Sequence, residues 1–497
     1  MALALGTAAF AQDAKPAKPS EIEAATAKPP IEEQLATSKG SVTIKGKAIA
    51  YTAQAGSLTV RDDAGKPIIS LFYTSYTADG ASNRPVTFLY NGGPGSPTIW
   101  LHMGSFGPVR VKTDKPESVA PQDFKAGPNP NSLLDVTDVV FIDAPGAGWS
   151  RVLEGKPARE VYGVDGDADA FTRGIMRWVA KFNRWNSPKF LLGESYGTLR
   201  SGAVAALLEQ RGLSLHGVGL LSTILNYGVR QPGYDADYLG LVPGFAATAW
   251  YHDKVANKPD LAAYLNEVRA WVDGPYAAAL LKGNTISEAE ADAVARQLSA
   301  YIGLPLPFIR RANLRVELAR FQTELLRAEG KSIGRLDTRY KLDPADLNAD
   351  QPDDDPASTA ITGAYVQAFQ DYAVRTLGVK TDLEYRLSAR GPGFDWDWRH
   401  RPPQGRPQNN PNTAVDLAWT MRTNPALKVL FLNGYYDMAT PFHSSEFDAA
   451  HMALPAYLQK NIRFTYYESG HMIYLAEGPL AKLHDDVAGW IAETVKR

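Results

Sequence analysis

The chain has 497 residues, of which 44% are hydrophobic and 21% charged, values that exclude a disordered, collagen-like or polytopic membrane chain and leave room for about three domains. Lys plus Arg number 52 against 54 Asp plus Glu, a formal charge of -2 with no long basic run, so neither a nucleic-acid nor a polybasic membrane-binding surface is expected. Cysteine is absent, which removes disulfides, thiolate metal sites and a thiol nucleophile, and leaves covalent catalysis to Ser, Thr, Lys or a carboxylate.

In chain order, residues 1–11 (MALALGTAAFA) form a short apolar run ending in Ala9-Phe10-Ala11. They resemble a secretory signal that lacks its basic start, and they point to a periplasmic or secreted protein. Residues 12–40 carry Ala, Pro, Lys, Glu and Ser without a period, the composition of a flexible linker. No other window holds 18 consecutive apolar residues, so no membrane span is expected. From residue 41, VTIKGKAIAYTA, LTVRD and PIISLFYTSYT predict an antiparallel meander. The short apolar runs 85–90, 139–143 and 189–194 alternate with helical patterns near 163–183 and after 195. That alternation predicts a mostly parallel sheet covered on both faces, an α/β fold. Residues 228–412 break the rhythm with helical patterns at 259–273, 287–300, 313–328 and 360–375. The rhythm returns at 428–434 and 462–468, followed by an amphipathic helix near 479–495. The organisation expected is a first core part over 41–227, a mainly helical cap over 228–412, and a second core part over 413–497. The acidic run DQPDDDP (350–356) lacks the spacing of a calcium loop and is read as a solvated loop.

The chemistry centres on Gly193-Glu194-Ser195-Tyr196-Gly197. This G-x-S-x-G pentapeptide follows a buried-type strand and opens a helix, the setting of a nucleophile elbow. A structural serine in a strand–helix turn is the alternative for the pentapeptide alone. The base and its orienting carboxylate should follow in the order Asp, then His. Asp437 lies just beyond the strand VLFLNG, and His471 just beyond IRFTYYE, both at strand C-termini where open sheets place their sites. The other seven histidines sit in loops, helices or at a strand head without that context. An oxyanion hole would draw one donor from the Tyr196 amide and another from the turn Asn91-Gly92-Gly93-Pro94-Gly95. An ordinary turn is the plain alternative for that segment.

Taken together, NGGPG, the run Asp143 to Ser150 (D-x-P-G-x-G-x-S), GESYG, the late Asp and the Gly-His pair resemble the serine carboxypeptidases, which are α/β-hydrolases with a helical insertion. The resemblance, of bacterial exported type, runs from about residue 70 to the C-terminus, and GPNP (127–130) agrees with it. It implies Ser195 as nucleophile, His471 as base, Asp437 as orienter, and an oxyanion hole from the amides of Gly93 and Tyr196. It also implies that Asn91, the Gly92 amide and Glu194 hold the free C-terminal carboxylate of a peptide substrate, with no cofactor or metal. Glu194 facing a carboxylate serves only when protonated, as a donor. Three positions depart from the family pattern. Ser105 stands where a Glu partnering Glu194 is usual, Leu89 where a Trp is common, and Ser96 where a Cys follows the glycine turn. The missing partner at Ser105 keeps an esterase or acyltransferase open as the alternative. A non-catalytic binding protein on the same fold is the third possibility, disfavoured by an intact Ser195, Asp437 and His471.

Overall fold

The computed structural model describes residues 30–80, 83–113, 126–153, 160–231, 233–390 and 394–496. The signal-like segment 1–11 and most of the expected linker lie outside the described residues. Nine strands line up in one sheet: β1 (Leu35–Ile44), β2 (Lys47–Arg61), β3 (Pro67–Ala78), β4 (Val86–Tyr90), β5 (Asp138–Ile142), β6 (Lys189–Ser195), β7 (Gly217–Thr223), β8 (Lys428–Gly434) and β9 (Ile462–Tyr467). Their spatial order is β1-β2-β3-β5-β4-β6-β7-β8-β9, and a short strand, Arg151–Val152, pairs off this path with β3. The first three strands form the antiparallel meander, β3 pairs antiparallel with β5, and every later pairing is parallel. This is the α/β frame the sequence predicts.

The short apolar strands send alternate residues to opposite faces. Phe88, Val140, Leu191 and Phe431 point to one cluster, which is covered by α1 (Val164–Lys181), α2 (Tyr196–Gln210) and, beyond the insertion, the helix Ala414–Thr423. Leu89, Phe141, Leu192 and Leu432 point to the other, which includes Leu483, Val487 and Ile491 of the last helix, Glu477–Val495. Two covered faces explain why these strands read as unbroken apolar runs.

Two expected boundaries move. Strand β1 begins at Leu35, so residues 35–40 are not linker but pair in register with Gly56 back to Tyr51. Their side chains are mostly exposed and polar, so this edge strand is held by backbone bonds and carries no hydrophobic signal. The expected cap also divides. Helices α3 (Ala236–Tyr251), α4 (Leu261–Trp271) and α5 (Glu288–Ile302) build a cluster of their own, seated on Tyr436, Met438 and Phe442 just past β8. Helix α6 (Pro356–Arg375) instead lays Ile361, Tyr365, Phe369 and Tyr372 against the core sheet, a stripe at helical spacing. Helix α3 is absent from the sequence expectation because Pro243 interrupts its pattern, while 313–328 shrinks to a helix over Leu318–Glu324.

The stretch after α6 is pinned by a buried histidine. His400 meets Asp165 on α1 through Nδ1 at 2.6 Å and Asp416 through Nε2 at 2.9 Å. Burial opposes its charge, but the two carboxylates outweigh it and raise its pKa to about 9. A raised pKa stabilises the fold fully below the free value of 6.5 and loses that contribution as pH climbs through about 9. Melting temperature should therefore decline between pH 6.5 and 9, and His400→Gln should flatten part of that decline in a thermal-shift series.

Candidate active site

Ser195 ends β6 at φ 60° and ψ -130°, and α2 begins with the next residue. A non-glycine residue at positive φ is strained, and strain of this kind is tolerated where a turn holds a side chain out for chemistry. The flanking glycines are sterically required. A Cβ on Gly193 would lie 2.2 Å from the Gly197 carbonyl oxygen, and one on Gly197 would lie 2.9 Å from the Tyr90 carbonyl oxygen. Glu194 and Tyr196 are buried on either side while Ser195 keeps partial exposure at the positive end of α2.

The structure brings the other two expected triad residues together from adjacent parallel strands. His471 Nδ1 lies 2.8 Å from Asp437 Oδ2, with Asp437 fully buried and His471 nearly so. Asp437 has a full set of donors: the amides of Ala439 and Thr440 bond to Oδ1 at 2.8 and 3.0 Å, and the Thr440 hydroxyl donates to Oδ2 at 2.6 Å. Such a set suits an ionised carboxylate, which only accepts. Burial pulls the His471 pKa down, but Asp437, by charge and hydrogen bond, and Glu194, by charge, leave it raised. The backbone of His471 is pinned too: its amide donates to the Leu336 carbonyl at 2.6 Å, and its carbonyl accepts from the Ser222 hydroxyl at 2.6 Å. Asp355, within the acidic run read as a solvated loop, accepts from the Arg335 and Leu336 amides at 2.9 and 2.8 Å. One residue of that run thus supports the base from behind.

The other histidines have structural partners. His102 is buried and stacked 4.4 Å from Phe141, and burial pushes its pKa down to about 3. His443 lies between Glu446 and Asp273, and His484 between Asp135 and Asp485.

The glycine turn after β4 lies against the elbow backbone. A Cβ on Gly92 would fall 2.4 Å from the Tyr196 nitrogen and 2.7 Å from the Gly197 nitrogen, and Gly93 has φ 109°, so only bare backbone fits here. The turn is braced on all sides. The carbonyl of Asn91 accepts from Arg200 at 2.7 Å, and its Oδ1 accepts from the Leu101 amide at 3.0 Å. Arg200 is buried and paired with Asp167 at 2.6 Å. Asp143, first residue of the D-x-P-G-x-G-x-S run, accepts from the Thr98 amide at 2.8 Å, and Ser150, the last, donates to the Asp143 carbonyl at 2.9 Å. That run therefore scaffolds the turn. Sequence reasoning missed Arg200 and Thr440; both stand within five residues of a triad member, the one signal that marked them.

Glu194 points away from solvent. Burial raises its pKa to about 7, against the lowering pull of the His471 charge and of hydrogen bonds from Tyr474 and Asn91. The partner expected at Ser105 is not there. Ser105 turns its hydroxyl back to the Leu101 carbonyl at 2.6 Å, one turn earlier in a short helical segment. GPNP braces that segment, with Asn129 donating to the Ser105 and Gly107 carbonyls at 2.6 and 2.7 Å. The buried Tyr474 hydroxyl donates to Glu194 Oε2 at 2.9 Å instead. Tyr474 stands three residues after His471, a position the sequence does not flag.

The aromatic run 394–398 packs onto this machinery. Trp396 meets Tyr196 edge-on at 5.4 Å, Trp398 lies 4.8 Å from Tyr227, and a Cβ on Gly95 would fall 3.3 Å from the Phe394 ring. The run presses on both loops that frame Ser195. Among the described residues no helix is long and apolar enough to cross a membrane.

Residues 45–212 match the family model described as serine carboxypeptidase. Among solved structures, a prohormone-processing carboxypeptidase from Saccharomyces cerevisiae superposes with a TM-score of 0.54 at 12% identity, covering 89% of this chain and 92% of that one. A proline iminopeptidase from Mycobacterium smegmatis gives 0.37 at 15% identity, over 88% and 98% of the two chains. An aryl esterase described as putative, from Burkholderia cenocepacia, gives 0.35 at 13%, over 89% and 100%. Residues 45–212, which carry the glycine turn and the Ser195 elbow, thus match the serine carboxypeptidases, and the likeness in fold extends the α/β-hydrolase frame around them.

Proposed function

We propose that the protein releases C-terminal amino acids from peptides through an acyl-enzyme on Ser195. His471 takes the hydroxyl proton as the oxygen attacks the scissile carbonyl, and returns it to the departing amino group. Asp437 holds the imidazole and stabilises its charged form. The amides of Gly93 and Tyr196 receive the oxyanion; two such donors contribute several kcal/mol of transition-state stabilisation. Water, activated by His471, then hydrolyses the ester. Asn91, the Gly92 amide and protonated Glu194 receive the terminal carboxylate of the substrate. The observation that carries this reading is Glu194, a buried carboxyl beside the nucleophile whose pKa is raised to about 7, so that it can keep a proton to donate.

N-blocked dipeptides with a free C-terminus should be cleaved at least ten times faster than their C-terminal amides, read as released amine. Equal rates would sink carboxylate recognition. Protonated Glu194 binds and ionised Glu194 repels, so KM should rise as pH climbs through about 7. Glu194→Gln, a neutral donor at every pH, should flatten that rise, and an unchanged KM profile would show that another group titrates.

The displaced Ser105 supports a second reading, an esterase or acyltransferase on the same frame. Faster turnover of small esters than of any peptide would favour it. The apolar run ending in Ala9-Phe10-Ala11 supports export to the periplasm or the medium.

A further inference from the structure

Three arginines border the catalytic loops. Arg335 and Leu336 bridge the acid and the base: the Arg335 carbonyl accepts from the Met438 amide at 3.0 Å, and the Leu336 carbonyl accepts from the His471 amide. Arg230 donates to the carbonyl of Ala439, two residues past Asp437, at 3.3 Å. Arg390 donates to the carbonyl of Gly93 in the oxyanion turn, also at 3.3 Å. The segments that follow Asp437, Gly92 and the base's support at Leu336 are therefore each joined to one of these arginines, Arg230 and Arg390 by side chain and Arg335 by backbone. Arg230 lies against Tyr227, which packs with Tyr196; its guanidinium is 5.7 Å from the Tyr227 ring. The charges of all three act on Tyr227, and that of Arg335 also acts on His471.

Their charges are only partly compensated. Arg230 has a loose 3.8 Å contact with Asp237 and acts on the charge of Asp448, Asp355 accepts from the Arg335 backbone amide, and among the described residues no salt bridge within 4.0 Å holds the exposed guanidinium of Arg335 or Arg390. In a chain with a net charge of -2 this is a local concentration of positive charge beside the loops of Gly93, Asp437 and His471, a field that draws an anionic ligand. The carboxylate attracted there could belong to a side chain or to the substrate's terminus. The terminus already has a place at Glu194 and Asn91, which leaves the side chain for the arginines.

We propose that Arg230, Arg335 and Arg390 form a cationic collar that selects substrates with an Asp or Glu side chain next to the scissile bond. The proposal rests on the carboxypeptidase reading and narrows it to acidic peptides. Its test compares kcat/KM on N-blocked dipeptides ending in Glu, Gln and Leu, together with their C-terminal amides, at low and high salt. Exposed guanidinium–carboxylate pairs are individually weak, so the expected Glu-over-Gln preference is about tenfold for the set, shrinking with ionic strength. In the R335Q/R390Q double variant the ratio should fall to about twofold or less, and R390Q alone should lower it partway. Because the ratio is taken on one preparation, a partly folded variant still reports it. A wild-type ratio near one, or a ratio unchanged in the double variant, overturns the collar. So does a double variant that keeps the Glu-over-Gln ratio but loses its discrimination against amides, because the arginines would then be reading the terminus. If no peptide is cut while nitrophenyl esters are, the carboxypeptidase reading fails separately. The same ratio is then read on esters with an acidic against an amidated acyl chain, where a preference upholds the collar and its absence overturns it.

Discussion

Ser195→Ala should lower kcat roughly a million-fold on peptide and ester substrates alike, leaving only what the oxyanion donors and binding supply. No other nucleophile is placed to substitute. The neighbours Glu194 and Tyr196 are buried, and only Ser195 is held out by the strained turn at φ 60°. Removing its hydroxyl also costs the fold little, because among the described residues no hydrogen bond of that hydroxyl holds a neighbouring element. Melting temperature should stay within a few degrees of wild type while labelling by a fluorophosphonate probe disappears. Labelling that persists at wild-type level would place the nucleophile elsewhere.

Asp437→Asn should cost about ten-thousand-fold in kcat. The size follows from the donors around it. Asp437 accepts from two amides, one hydroxyl and the His471 ring, so the two amides offer no acceptor for an amide NH2, and the hydroxyl or the ring can accept only by turning its proton elsewhere. Asparagine must turn its nitrogen toward some of them. If it faces His471, the ring presents its lone pair at Nδ1 and its proton at Nε2, the wrong tautomer to accept from Ser195. Since Asp437 is fully buried, some destabilisation accompanies the kinetic loss. The two effects separate by measuring kcat well below the variant's melting temperature. A loss below a hundredfold there would mean that Asp437 is not what orients His471.

Much of this site was legible because its motifs are local. GESYG, NGGPG and the strand-ending Asp437 and His471 each pair a residue type with a neighbouring element, and those elements lie in the structure where the alternation of apolar runs put them. What escaped was held by long-range contact. Tyr474 reaches Glu194 across 280 positions, and Arg200 reaches the Asn91 carbonyl across 109; nothing in either local sequence signals the partner. Ser105 shows the converse. The family pattern marked the loss of a carboxylate there, but not that the hydroxyl, being short, is satisfied by the carbonyl one turn back. The edge strand over 35–40 and helix α3 were lost for physical reasons of their own, exposed polar side chains in one and Pro243 in the other.

Glu194 and His471 act on each other's ionisation, the charge of each favouring the charged form of the other. A proton taken up by such a coupled pair belongs to both, with two homes open to it. With the proton on His471 the base is blocked and Ser195 idles; with it on Glu194 the base is free. A substrate carboxylate arriving at Glu194 makes the second arrangement the cheaper one, because two facing carboxylates repel and a shared proton joins them. On the proposed reading, binding a chain terminus would itself switch on the base. The enzyme would then be slow toward stray acyl groups not by excluding them from the mouth, but because they bring no charge to move the proton.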